Sequence, residues 1–269
     1  MDSNSQQNGS MSTVQELLML RKQHAVLQED QLLGRQLQQQ LRPASPCQLQ
    51  GVTIEHCIIP ALHLAGDTLD YLQLPDGRIL FYLADVSGSG TAAALVALLL
   101  KSTVREFALA AQSAKQASSI SPAALLSHLN QRLLSYAIDR HVTLVCAVID
   151  TQQDVLQWSV AGHLPPPILY TDAQAEFLEG TGLPVGLFEH ATYNNQQLPL
   201  PQQFSLSLFT DGVFDALPQA SLVDSEAALP AIVNAAQGEY AQIVKRLGLA
   251  NCTNMPDDIA VLVLSRGLA

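Results

Sequence analysis

The sequence has no run of ~18 consecutive apolar residues, and its opening residues, Met1–Ser10, supply neither a basic segment nor an apolar one. Neither a membrane span nor a secretory leader is therefore expected. Charge is also sparse. Charged residues make up 14% of the chain, and 13 Lys and Arg against 24 Asp and Glu leave a formal net charge of −11. Binding to a phosphate backbone rests on clustered Lys and Arg, so this balance argues against a nucleic-acid partner. The four cysteines, Cys47, Cys57, Cys146 and Cys252, contain no CxxC pair, and Cys57 and Cys146 lie inside apolar runs. They read as free thiols of a soluble cytoplasmic protein, not as disulfides or a zinc site. No GxxxxGK[ST] or GxSxG occurs, which leaves out a P-loop and a serine-hydrolase elbow.

What is present is a core. Apolar residues are 48% of the chain and fall in periodic segments, as a globular domain requires. Residues 1–11 read as a tail. Thr13 with Glu16 forms a capping box that opens a helix reaching about Gln40, ended by Pro43 and Pro46. Its stripe of Val14, Leu17, Leu18, Leu20, Leu27, Leu33, Leu37 and Leu41 suits a pairing helix or packing on its own domain. From Gly51 the pattern turns to strands at 52–59, 69–74 and 78–84, the last two joined by the turn Pro75-Asp76-Gly77. Helices follow at 91–110 and 122–138, separated by a polar stretch to Ser119. Then come strands at 142–149, 155–160 and 167–170, a loop rich in Gly and Pro, a strand at 204–210, helical pieces over 222–248 and a last strand at 259–264. Strand runs broken by paired helices predict an α+β fold with mainly antiparallel sheets. The expected division is a tail and linker helix over 1–46 and one domain over 47–269.

Aspartates punctuate the strand ends. Asp67 stands just before a strand, Asp85 ends the apolar run 79–84, Asp211 ends the run 206–210, and Asp257-Asp258 open the last strand. One Asp beside a Gly is ordinarily a turn residue. Recurrence at four strand ends suggests instead an oxygen-ligand site for hard divalent cations, since carboxylates crowded without a cation repel one another. Gly88-Ser89-Gly90-Thr91-Ala92-Ala93 also fits the dinucleotide fingerprint GxGxxA. Against that reading, the acid expected ~20 residues on should end a strand, whereas Glu106 falls within a helix, and Asp85 would repel a pyrophosphate.

Seven segments in order resemble the PPM-type serine/threonine phosphatases of the bacterial SpoIIE and RsbU branch. They are Ala65-Gly66-Asp67-Thr68-Leu69-Asp70, Ala84-Asp85-Val86-Ser87-Gly88-Ser89-Gly90, Asn130–Leu133 before the strand 143–150, Ala161-Gly162-His163-Leu164-Pro165, Gly182-Leu183-Pro184-Val185-Gly186, Thr210-Asp211-Gly212-Val213 and Asp257-Asp258-Ile259. The resemblance implies an α-β-β-α sandwich of two mainly antiparallel sheets flanked by helices. It also implies two divalent cations, Mn²⁺ or Mg²⁺, that activate a water for attack on phosphorus. Asp85 would bridge the cations, Asp67 and the Val86 carbonyl would complete one side, and Asp211 with Asp257 would hold the other, with Asp258 as a further neighbour. The implied substrate is a phosphoserine or phosphothreonine protein, typically a STAS-type anti-sigma factor antagonist. The N-terminal helix would serve a homodimer or an upstream sensor or receiver domain. The alternative is a catalytically silent module of the same fold.

Three positions depart from the family pattern. Ala65 precedes Gly66 where relatives carry a second Gly, and Ser89 stands where a His is common. Ser87 occupies the place at which the eukaryotic branch has a His proposed as general acid, so the proton donor is unassigned. His163 reads as a structural residue of its Pro-rich turn.

Overall fold

The computed structural model describes residues 3–113, 120–218, 221–252 and 255–268. The polar stretch before Ser119 and the first two residues of the expected tail thus fall largely or wholly outside the described residues. The chain divides into two compact units, ending at Leu41 and beginning at Arg42. The first is one helix, α1 (Ser3–Gln40). It begins well upstream of the Thr13 capping box, so residues 3–12 are helical and not a tail. Extending a nucleated helix costs little per residue even through Ser, Asn and Gln.

Among its described residues the second unit carries eleven strands, four α-helices and two short 3-10 helices. One sheet is formed by β1 (Cys47–Leu49), β2 (Val52–Ile59), β7 (Ile168–Thr171), β8 (Gln174–Phe177), β10 (Phe204–Phe209) and β11 (Ile259–Arg266), in the order β1-β2-β11-β10-β7-β8. The other comprises β3 (Thr68–Gln73), β4 (Ile79–Val86), β5 (Val142–Asp150), β6 (Val155–Ala161) and β9 (Gln196–Pro199), in that order. The strand pairings within both are antiparallel.

Alternation along the strands builds three cores. Odd-numbered residues of β4 and β5, such as Phe81, Leu83, Val145 and Ala147, pack against Leu206, Leu208 and Leu262 of the facing sheet. Even-numbered residues, such as Tyr82, Ala84, Leu144 and Cys146, pack under α2 (Gly90–Ser113) and α3 (Pro122–Ser135). Val261 and Val263 pack with Leu229, Val233 and Ile243 of α4 (Leu222–Ala235) and α5 (Tyr240–Arg246). This is the expected α-β-β-α sandwich. In α3, Ser121 caps the helix by accepting from the Ala124 amide at 3.3 Å, with Pro122 as the first helical residue. Among the described residues no helix is long and apolar enough to cross a membrane.

Candidate metal centre

Alternation also selects which acids face one another. Asp85 follows Phe81 and Leu83 on the inter-sheet side of β4, at the strand's end. Asp67 precedes β3 and is 2% exposed, and its Oδ2 accepts from the Thr210 hydroxyl at 2.7 Å. The same hydroxyl accepts from the Ala260 amide at 2.7 Å. One threonine at the end of β10 therefore ties the start of β3 to β11. Asp211, the next residue, opens the 3-10 helix Asp211–Ala216. Val86 is fully buried, and its carbonyl oxygen lies 3.0 Å from the point where a Gly66 Cβ would stand. That carbonyl therefore faces Gly66, the residue before Asp67.

Electrostatics mark the same group. Asp85 is pushed up to about 7 by burial and then by Asp211, Asp257 and Asp258. Asp67 is held well above the usual carboxylate range by burial, with Asp85, Asp258 and Asp211 adding to it. Asp211 is raised by burial and Asp257. Among the described residues the charged groups that shift these three most are other carboxylates. An oxygen-only donor set short of positive charge fits a hard divalent cation. Among the described residues no three acidic, imidazole or thiol side chains close into a cage that would hold an ion by themselves. Mg²⁺-type sites commonly use few carboxylates and keep several waters.

Asp258, expected as a further neighbour of the cations, also has backbone partners. Its carboxylate accepts from the Ala61 amide at 2.7 Å and from the Gly66 amide at 2.6 Å, and the residue is 5% exposed. Its oxygens hold the loop that delivers Asp67, while the exposed Asp257 accepts from the Asp258 amide at 2.8 Å. Asp258→Asn turns one acceptor into a donor facing an amide. We expect it to cost about 2 kcal/mol of unfolding free energy, the scale of a hydrogen bond to a charged group, read by urea denaturation without metal. Asp70, the second acid of the first motif, lies on the helix side of β3. It is fully buried, with Arg105 at 2.7 Å and Lys101 at 3.4 Å.

One departure from the family pattern, Ala65, has a local explanation. The Ala65 methyl is buried in the inter-sheet core, whereas a Cβ on Gly66 would meet Val86 O at 3.0 Å and Ala93 Cβ at 3.1 Å. Only the second glycine is sterically required. Gly88 takes φ +82 with the Arg140 guanidinium over it, 3.3 Å from a would-be Cβ. His163 is 3% exposed with Nε2 at 2.8 Å from the Phe209 carbonyl, and burial pushes it down to about 4. A neutral imidazole donating to that carbonyl fixes the end of β10 from the turn after β6, in keeping with a structural role. Thr210 is the positioning group that strand-end spacing did not reveal. The register of β10 against β11 exposes it.

Comparison with known proteins bears on the fold and the family. Over 168 residues the chain is 27% identical to the phosphoserine phosphatase RsbP of Bacillus subtilis, a match covering 60% of this chain and 39% of that protein. The chain thus spans well under half the length of that relative. The SiaA-PP2C domain of Pseudomonas aeruginosa superposes with a TM-score of 0.68 at 20% identity, over 90% of this chain and 98% of that one. RsbX in complex with magnesium does so with a TM-score of 0.62 at 15% identity, over 81% and 97%. At such identities the superpositions establish a shared fold. The family model for stage II sporulation protein E (SpoIIE) matches residues 75–267, most of the second unit, and the chain belongs to that family of PP2C-type phosphatase domains.

Proposed function

We propose that the protein hydrolyses phosphoserine or phosphothreonine on a regulatory protein, at a two-cation centre held by Asp67, Asp85, the Val86 carbonyl, Asp211 and Asp257. The observation that carries this reading is the acidic group Asp67, Asp85 and Asp211, each raised by burial and by neighbouring carboxylates. Bound Mn²⁺ or Mg²⁺ would supply Lewis acidity and lower the pKa of a water. The chain's own residues orient the centre. Thr210 sets the Asp67 carboxylate, Asp258 holds the loop beneath it, and the glycine at 66 lets that loop approach the Val86 carbonyl. The substrate class follows the name of RsbP, a phosphoserine phosphatase. A phosphorylated STAS-type anti-sigma factor antagonist in the cytoplasm is the partner we favour, with the apolar stripe of α1 serving a homodimer or an upstream sensor or receiver domain.

Phosphate release from a serine-phosphorylated STAS-type protein and from a phosphotyrosine peptide, each with Mn²⁺, tests the substrate class. Release from the first and little from the second is expected. The reverse order would contradict the proposal.

The acids also set a pH dependence. Asp85 and Asp67 have folded-state pKa values above the unfolded value of 3.8. The folded protein therefore holds extra protons between that value and about 7. Linkage then requires the metal-free protein to lose stability as pH rises through this window. Metal binding needs the carboxylates ionised, so it strengthens over the same window. Thermal unfolding at pH 5 and pH 8 (about 1.5 units either side of His-like neutrality) is expected to show a lower Tm at the higher pH in EDTA. The Mn²⁺-induced rise in Tm should be larger there. A metal-free Tm rising with pH would count against the buried carboxylates.

A further inference from the structure

The first motif carries a second acid, Asp70, that the centre does not use. It lies fully buried on β3, three residues after Asp67, and its carboxylate is crowded with donors. Oδ2 accepts from Arg105 Nε at 2.7 Å. Oδ1 accepts from Arg105 Nη2 at 3.2 Å and from the Tyr71 amide at 3.0 Å, with Lys101 Nζ 3.4 Å away. Both cations stand on α2, about one turn apart.

Burying such charges is costly, and well-packed apolar side chains of similar size would hold the helix as firmly. What a two-pronged guanidinium–carboxylate pair adds is direction. Val96, Leu100 and Val104 of α2 share one apolar cluster with Leu80, Tyr82 and Ala84, and apolar contact is non-directional. The pair with Asp70 therefore fixes how far along β3 the helix sits. That register matters because of what α2 carries at its other end. It begins at Gly90, just after Val86, and its first turn reaches Gly66. A Cβ on Gly66 would meet Val86 O at 3.0 Å, Ala93 Cβ at 3.1 Å and the Gly88 carbonyl oxygen at 3.5 Å. Two attachments to α2, at Gly66 and at Asp70, thus frame Asp67, and they are about three helical turns apart.

Resting on the cation centre proposed above, we infer that Asp70 is a positioning residue. Through Arg105 and Lys101 it fixes β3 against α2, and so sets the separation of the Asp67 carboxylate from the Val86 carbonyl, the two groups assigned to one cation. It touches neither cation nor substrate. Its effect therefore falls on cation affinity and little on turnover once the cations are bound. Partners that orient a metal's ligands are typically worth 10–100-fold in affinity.

Mn²⁺ affinity of the full chain, measured by titration calorimetry, tests this. The variants are Arg105→Gln, Arg105→Lys and the triple variant Asp70→Leu, Lys101→Met, Arg105→Met. Arg132→Gln is the control, since Arg132 pairs with Glu106 at 3.7 Å between exposed positions of α3 and α2. Position and charge predict opposite signs. Arg105→Gln and the triple variant each leave the protein one unit more negative, which by charge alone draws Mn²⁺ in more tightly. Positioning predicts a Kd raised about tenfold in both, with Arg105→Lys between Arg105→Gln and wild type and no rise in Arg132→Gln. At saturating Mn²⁺, kcat on para-nitrophenyl phosphate should stay close to wild type. The triple variant leaves no buried charge unpaired, so its Tm should stay near that of the wild type. Were it to unfold, Arg105→Gln decides alone, since the Arg105 side chain is 54% exposed. A Kd unchanged or lowered in Arg105→Gln, or in the folded triple variant, would overturn the assignment. So would an equal rise in Arg132→Gln, or a kcat at saturating Mn²⁺ that falls as far as the affinity does. A wild type that binds no Mn²⁺ would instead overturn the cation centre, and this assignment with it.

Discussion

Asp85→Asn is expected to lower metal-dependent hydrolysis by at least about 10³-fold while leaving the metal-free protein as stable as the wild type or more so. The two effects share one cause. Asp85 reaches about 7 because burial and three facing carboxylates oppose its charge. An amide of the same shape removes that repulsion from the empty centre. It also removes the carboxylate proposed to bridge the cations, whose interaction with developing charge is worth several kcal/mol in such sites. At 1.36 kcal/mol per factor of ten, this corresponds to about three orders of magnitude. The checks are kcat on a phosphoserine peptide with Mn²⁺ and Tm in EDTA. Turnover within about tenfold of wild type would remove Asp85 from the centre. A metal-free Tm well below wild type would mean that its carboxylate stabilises the fold, contrary to the charge crowding described.

Gly212→Ala is expected to be the most damaging single methyl in the chain's chemistry-bearing end. A Cβ at 212 would stand 2.0 Å from the Asp258 carbonyl oxygen and 2.9 Å from its carbon, both backbone atoms with no rotamer to relieve them. Either the 3-10 helix that carries Asp211 or the start of β11 must shift. Overpacking of a buried site costs typically 1–3 kcal/mol and occasionally more, and the rigid contact here argues for about 3 kcal/mol. Gly51→Ala is the control. It has φ +78 but open space around it, so only the left-handed backbone penalty of about 1–2 kcal/mol applies. Urea denaturation ranks the two, and the loss of Mn²⁺ binding should follow only the change at 212. Equal costs would show that close approach at Gly212 is not what the glycine serves.

The sandwich was legible because its inner strands are long and apolar. The hairpin around Pro75-Asp76-Gly77 and the strand pair that ends at Asp85 follow from β-branched runs and turn chemistry, and they fall where expected. Edge strands carry less signal. Gln174–Phe177 and Gln196–Pro199 are polar and only partly buried, and they form by pairing with β7 and β6, not by a pattern of their own. They lie in what reads as a loop. At the centre, strand-end spacing pointed to Asp67, Asp85, Asp211, Asp257 and Asp258 as candidates, but it did not show that Asp258 bonds two backbone amides far from it in sequence. Asp70 and Arg105 are 35 positions apart. Only the packing of α2 on β3 makes them neighbours, and no local pattern encodes that.

The most direct test of the central claim is the initial rate of para-nitrophenyl phosphate hydrolysis by the wild-type protein as Mn²⁺ is titrated in, and again after EDTA is added. The acidic centre described here predicts a rate that is negligible without metal, rises to saturation with Mn²⁺ and collapses on chelation. A rate indifferent to both Mn²⁺ and EDTA would contradict it.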